Sequence, residues 1–437
     1  MVSSKSLLEK TAEVLRQSIP VLEYQELVAY VRAFLERADS YLDTYRKHGS
    51  PLYVLDEKVL LERAEQFATA FKTINGDPGI FYAVKSNNHP AVVDSLVKFG
   101  LGLDVSSGLE LELALDSGCA NIIFSGPGKT EAELRLAVSH HDRVTILVDS
   151  FGELDRLEKI ASQQKVRVRA GVRLTTDDGG LWRKFGIPLD SLGKFLEKAE
   201  DCSHVDLCGL QFHTSWNLDP NPQVTFISRL GKSLENLQER WRTALKFIDI
   251  GGGYWPPRGE WLQLAGTPKG RLRQAVLPIT SPTNQHYKLY AESIETFAQE
   301  IGEALQSYIF PYLDCRIYTE PGRWLCNDAM HILMTVVDKK ADDIVIADAG
   351  TNIIGWERFE TEYFPVINLS RPSESERECL IFGSLCTPHD IWGYNYFGDG
   401  IEPGDILMIP SQGAYTYSLR QEFIKPLAKV VRLELTG

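Results

Sequence analysis

From residue 81 onward, short apolar runs of β character alternate with stretches of helical spacing. The runs cover 81–85, 101–107, 122–127, 144–150, 166–174, 204–214, 247–254 and 314–323, while stretches such as 91–99, 109–117 and 151–163 carry apolar residues at helical intervals. Eight strand-helix units predict an α/β fold, a closed (β/α)8 TIM barrel over residues 56–322. The seventh interval is long. Its first part, 255–286, is rich in Pro and Gly without clear periodicity and predicts an irregular insertion, and 287–308 predicts the helix before the last strand.

The two ends of the chain read differently. Within residues 4–48 the apolar positions Leu27, Tyr30, Val31 and Leu35 keep helical spacing, and Arg46-Lys47-His48 before Gly49 supplies a helix stop. An N-terminal helical extension over 1–48 is expected, packed on the main body or on a partner subunit. After residue 324 short apolar strands (331–337, 343–347, 379–382, 405–409, 428–435) are separated by Gly, Pro and Asp turns. They predict a C-terminal all-β domain over 323–437, which the strand-like segment 50–55 joins.

Composition narrows the function class. With 437 residues, 43% hydrophobic and 24% charged, the chain is an ordinary globular protein long enough for two domains. A formal charge of −13 with scattered basic residues argues against nucleic acid and anionic membrane as partners and leaves small-molecule chemistry. Seven cysteines, Cys119, Cys202, Cys208, Cys315, Cys326, Cys379 and Cys386, are odd in number and widely spaced. That pattern predicts neither a disulfide framework nor a metal site, and it fits a reducing cytoplasm. Residues 1–10 lack the apolar core of a secretory signal, and no stretch approaches the roughly 20 apolar residues that span a bilayer.

Barrel enzymes carry their working groups at the C-terminal ends of the strands, and polar residues recur there. The first run ends in Lys85, the second carries Asp104, the fifth Arg173, the sixth His213, the seventh Gly251-Gly252-Gly253, and the eighth ends in Glu320-Pro321-Gly322-Arg323. A lysine where an apolar strand opens into a polar loop can lose ammonium character and hold an aldehyde. Successive glycines let backbone N–H groups approach a phosphate, and Arg323 adds a fork for the same anion. Glu320 can pair with a protonated pyridine nitrogen, and His213 can stack on the ring. Together these specify pyridoxal 5′-phosphate as the cofactor.

The chain resembles the fold-type III pyridoxal-phosphate decarboxylases, the group of ornithine, diaminopimelate and arginine decarboxylases, over roughly residues 50–435. The matching motifs are Tyr82-Ala83-Val84-Lys85, Asp104 through Glu110, Lys184-Phe185-Gly186-Ile187, Phe212-His213, Asp249-Ile250-Gly251-Gly252-Gly253, Glu320-Pro321-Gly322-Arg323, Asp348-Ala349-Gly350, Gly383 with Cys386, and Gly413-Ala414-Tyr415. The resemblance implies that Lys85 forms the internal aldimine, that His213 stacks on the ring and that Glu320 holds the pyridine nitrogen. It also implies that Gly253, Arg323 and Tyr415 bind phosphate, and that Cys386, from the second subunit of a homodimer with shared active sites, protonates the substrate carbon after carbon dioxide leaves.

The substrate half departs from the pattern. Family members acting on diamino acids carry Asp or Glu after the catalytic Cys, where this chain has Thr387. Diaminopimelate enzymes place an Arg shortly after Asp-Ala-Gly; here Asn352-Ile353-Ile354-Gly355-Trp356 follows and Arg358 is displaced. Ser215-Trp216 replaces the usual Gly-Ser after the ring-stacking His. The expectation is an enzyme that decarboxylates a modified or carrier-conjugated amino acid of secondary metabolism, with Trp216, Trp356, His389 and Trp392 lining the altered pocket. Diaminopimelate, ornithine or lysine decarboxylation, amino-acid racemisation, and a catalytically silent binding homologue are the alternatives.

Overall fold

Eight short strands, Gly79–Ala83, Gly102–Val105, Ile122–Phe124, Val144–Val148, Val168–Leu174, Val205–Phe212, Phe247–Asp249 and Arg316–Thr319, pair in parallel in chain order. The last also pairs with the first, Tyr318 opposite Gly79, and closes a barrel, as the alternation of runs predicts. This is a computed structural model of the chain, and it describes residues 4–76, 78–177, 179–277, 285–355 and 359–434. Inside the barrel Phe81, Ile123, Leu147 and Phe247 form a buried cluster against Cys208 and Tyr318. Gly209 makes room for it: a Cβ there would stand 2.0 Å from the Phe247 ring.

Helix caps follow the strands. Ser107, Thr130 and Ser150 accept hydrogen bonds from the backbone N–H groups of Glu110, Glu133 and Glu153, which start the helices Gly108–Asp116, Glu131–Ser139 and Phe151–Gln164. Each cap residue is still extended and the helix begins directly after it, so the polar residues between strand and helix are gathered at one end of the barrel.

The barrel unit comprises Lys58–Pro257 and Glu292–Cys326; a second unit comprises Met1–Glu57, Arg258–Ala291 and Asn327–Gly437. The second unit holds an eight-stranded mixed sheet. Its strand Leu52–Leu55 runs antiparallel to Met330–Ala341 and parallel to Lys429–Arg432. The helices Tyr24–Leu35 and Ala38–His48 belong to this unit's core. Their Leu27, Val31 and Tyr41 share one buried cluster with Leu52, Val54, Leu333 and Met408.

The seventh interval differs from expectation. Residues 258–291 group with the sheet unit, so the barrel is not continuous over 56–322. They are ordered: Glu260–Leu262 and Tyr287–Leu289 form an antiparallel pair, with the helix Pro268–Val276 between them. Three-residue strands carry too little alternation to show a period. Their order comes from tertiary pairing, Tyr363 N–H to Trp261 O at 2.9 Å and Lys288 N–H to Pro20 O at 2.9 Å. The helix expected over 287–308 accordingly starts later, at Ile294, where Ser293 caps it. Among the described residues no helix is long and apolar enough to cross a membrane.

Candidate active site

The first barrel strand ends at Ala83 and the chain tightens into a single 3-10 turn, Val84–Ser86. That turn carries Lys85. Its Nζ lies 2.7 Å from Asp104 Oδ2; the lysine side chain is 33% exposed and the aspartate fully buried. The other oxygen of Asp104 accepts from Ser125 Oγ, just beyond the third strand. Arg173 Nη1 reaches the Ser125 carbonyl at 3.5 Å, and the guanidinium lies 4.5 Å over the Phe185 ring. Lys85, Asp104, Ser125 and Arg173 therefore form one chain of contacts across four strand ends.

A second group stands on the sixth to eighth strands. His213 Nδ1 accepts from Gly252 N–H at 3.1 Å, which leaves the ring proton on Nε2, 3.1 Å from Ser215 Oγ. Glu320 Oε2 lies 3.5 Å from the same Nδ1, and Gln211 Nε2 donates to Glu320 Oε1 at 3.2 Å. Asp249 Oδ1 accepts from Gly251 N–H at 2.9 Å. Asp249 Oδ2 is buried without a donor facing it. A proton on that oxygen, shared with Glu320, satisfies both carboxyl groups.

The electrostatics agree with this sharing. Burial pushes the Asp249 carboxyl well above its ordinary range, and the Glu320 charge pushes it further. For Glu320, burial acts upward too, but the Lys85 charge and the Asp249 proton act against it and the carboxyl is held low. Burial, followed by Glu320, raises Asp104. Burial lowers His213 and keeps the ring neutral. The barrel mouth thus holds one firmly ionised carboxylate, one carboxylic acid and a lysine beside a carboxylate of raised proton affinity.

The glycine run after the seventh strand is shaped by close approach. Gly251 and Gly253 take φ of 67° and 90°. A Cβ on Gly252 would stand 2.1 Å from the Glu320 carbonyl oxygen, and one on Gly253 2.2 Å from that of Thr214. A Cβ on Gly322 would stand 3.0 Å from Ser86, and the Arg323 guanidinium lies 4.5 Å over Trp255.

The remaining sequence-predicted residues lie in other settings. Cys386 is exposed in the sheet unit, and Tyr415 of the same unit takes a left-handed φ of 57°. Thr387 Oγ1 accepts from His389 N–H at 3.4 Å, and His389 Nδ1 lies 3.1 Å from Glu360 Oε1 at the surface. Trp216, at the barrel, is 65% exposed with a φ of 52°. Trp392, expected to line the altered pocket, is packed in the interior of the sheet unit. It is fully buried, donates Nε1–H to Ala349 O at 2.8 Å and packs on Phe359, because its strand Ile391–Phe397 is covered on both faces. Trp356 and Arg358 lie outside the described residues. Sequence reasoning assigned no role to Ser125, Gln211 or Asp249. Gln211 and Asp249 carry a signal, single polar residues in the otherwise apolar Leu210-Gln211-Phe212 and Phe247-Ile248-Asp249.

Residues 58–327 match the family described as pyridoxal-dependent decarboxylase, pyridoxal binding domain. The chain belongs to the pyridoxal-dependent decarboxylases. As expected from its motifs, it is a fold-type III amino-acid decarboxylase whose cofactor is pyridoxal 5′-phosphate. The diaminopimelate decarboxylase of Aquifex aeolicus is 27% identical over 440 residues, covering 97% of this chain and 94% of the relative. The L-glutamyl-[BtrI acyl-carrier protein] decarboxylase of Niallia circulans is 26% identical over 404 residues, covering 83% and 88%. Among solved structures, diaminopimelate decarboxylase of Helicobacter pylori complexed with L-lysine superposes with a TM-score of 0.73 at 23% identity, over 90% of this chain and 94% of that one. At that identity the superposition speaks for the decarboxylase fold.

Proposed function

We propose that this decarboxylase acts on a conjugated amino acid, with Lys85 carrying the cofactor aldehyde and Cys386 of a partner subunit giving the proton that replaces carbon dioxide. The residues at the barrel mouth fit pyridoxal 5′-phosphate. Asp249 Oδ2, buried and without a facing donor, supports a shared proton that keeps Glu320 anionic, as a pyridinium nitrogen requires. Gly251 N–H and Gly252 N–H are taken up by Asp249 and His213, so it is Gly253 of the run, at a φ of 90°, that is suited with Arg323 to a phosphate.

Bound pyridoxal phosphate supplies the electron sink that makes loss of carbon dioxide from an amino acid feasible. The chain's residues govern the protons around it. Lys85 must shed a proton from Nζ to act as a nucleophile, and Asp104 Oδ2, 2.7 Å away, is the acceptor whose burial has raised its proton affinity. Glu320 would keep a proton on the ring nitrogen of the bound group. A neutral His213 would meet the ring without competing for that proton. The Cys386 Sγ proton goes to the substrate carbon.

The observation that carries the substrate assignment is Thr387. A neutral hydroxyl already engaged by His389 N–H offers no charge-assisted bond to a distal ammonium. The relative named for a carrier-bound glutamyl group lends support to a conjugate. Carbon dioxide and amine should be measured across free diaminopimelate, ornithine, lysine and glutamate and their thioester or amide conjugates. Conjugates should exceed the free acids by about 100-fold in kcat/KM, and efficient turnover of free meso-diaminopimelate or ornithine would sink the assignment.

The shared site has its own test. Lys85→Ala and Cys386→Ala subunits, each forming little amine alone, should regain about a quarter of wild-type amine formation when unfolded and refolded together, since half the random dimers then own one complete site. No regain would exclude sharing.

A further inference from the structure

Cys386 sits in the loop joining the strands Glu376–Phe382 and Ile391–Phe397, and the ends of that loop are tied by Gly383 N–H to Asp390 O at 2.8 Å. Asp390 is 1% exposed. Among the described residues no cation stands within ion-pair distance of it; instead three neutral donors take up its carboxylate. Oδ1 accepts from Thr351 N–H at 2.7 Å and Thr351 Oγ1–H at 2.9 Å, and Oδ2 accepts from Leu385 N–H at 2.6 Å. A buried carboxylate is costly unless its oxygens are met in this way, so the arrangement is rigid once formed.

The neighbouring residues are cut to fit it. A Cβ on Gly383 would lie 2.3 Å from Asp390 Oδ2, and one on Gly350 would lie 2.4 Å from Leu385 Cγ. Ser384 Oγ adds a bond to Asp348 O at 2.8 Å. The loop is therefore fastened to the turn 348–351 on both sides of Cys386, through Ser384 before it and Asp390 after it. On its C-terminal side it has the 3.4 Å contact of His389 N–H with Thr387, a 3.3 Å bond from Asp390 N–H to Thr387 O and the exposed His389–Glu360 pair.

We infer that Asp390 is a positioning residue for the decarboxylation: through Leu385 N–H it fixes the peptide that presents the Cys386 thiol to the substrate carbon. This rests on the proposed role of Cys386. A thiol displaced by about an ångström lets the electron pair left by carbon dioxide be protonated on the cofactor carbon instead. Water then releases a carbonyl product, and the nitrogen stays on the cofactor as pyridoxamine 5′-phosphate, so carbon dioxide forms without amine.

The test uses full-length enzyme loaded with pyridoxal phosphate, with meso-diaminopimelate and the N-acetylcysteamine thioester of L-glutamate as probes. Asp390→Asn is expected to lower the amine yield per carbon dioxide to well under one, as Cys386→Ala does, and Thr351→Val to do so more weakly. Amide exchange at Leu385 should quicken about tenfold in Asp390→Asn. A purely structural aspartate would depress amine and carbon dioxide in parallel, and that result overturns the inference, as does unchanged Leu385 exchange whether or not either probe is turned over. If Cys386→Ala itself keeps one amine per carbon dioxide, the reading of the thiol has failed; quickened exchange in Asp390→Asn would then leave only a loop clamp, with no part in the reaction.

Discussion

Glu320 and Asp249 show how one proton sorts two buried carboxyls into different tasks. Both are buried, yet their proton affinities are driven apart, Glu320 to about 2 and Asp249 well upward. Separation of this kind suits the ionised partner to the role proposed for it, pairing with a cationic ring nitrogen. Glu320→Gln keeps the Gln211 neighbour but cannot hold a proton on that nitrogen. It should retain the visible absorbance of bound cofactor while kcat falls by about 100-fold or more, and near-normal kcat would contradict the role given to Glu320. Lys85 and Glu320 were legible in the sequence because each interrupts an apolar run at its end. Asp249 and Gln211 were harder to assign, since their place under Glu320 depends on barrel curvature that no linear pattern encodes.

At the scale of elements, the barrel strands were legible because they are apolar runs, and after the first four a cap residue starts the next helix, a local signal. The sheet order was not, since Leu52–Leu55 pairs with strands some 280 and 380 positions away and nothing local encodes such partners. The N-terminal helices read as an extension, yet they complete the sheet's core, where His331 meets them. Its ring lies edge-on to Phe34 and Tyr41 at centroid distances of 5.3 and 5.6 Å. Ser411 N–H donates to His331 Nδ1 at 3.1 Å, so the ring is neutral, with its proton on a buried Nε2 that has no acceptor. Burial lowers its pKa to about 4. The unfolded chain takes up a proton near pH 6.5 that the folded ring refuses until about pH 4, so stability falls as pH drops through that window, by up to about 3 kcal/mol. His331→Asn, which can still accept from Ser411, should flatten the decline in Tm between pH 7 and 4.5; an unchanged slope would remove His331 as its source.

At the scale of the whole molecule, the chain passes from one unit to the other four times, at 57/58, 257/258, 291/292 and 326/327. A contiguous piece carrying the whole barrel must therefore also carry 258–291, whose contacts belong to the sheet unit. Trp261 is 3% exposed there, in the cluster with Leu27, Val31 and Met408, and faces Tyr30 at a centroid distance of 5.0 Å. Arg258 lies over both rings, 5.1 Å from Tyr30 and 4.7 Å from Trp261, and donates to Tyr30 Oη at 3.1 Å. Deleting the Trp261 side chain should cost the sheet unit about 3 to 5 kcal/mol. If the interval serves the sheet, fragment 58–326 should aggregate unless 258–291 is replaced by a short linker, and the linked fragment should bind pyridoxal phosphate at Lys85, detected by borohydride labelling. Full-length Trp261→Ala should likewise label at Lys85 while its sheet unit melts early. Loss of labelling together with an unchanged melt would mean that 258–291 supports the barrel, which its contacts with the sheet argue against.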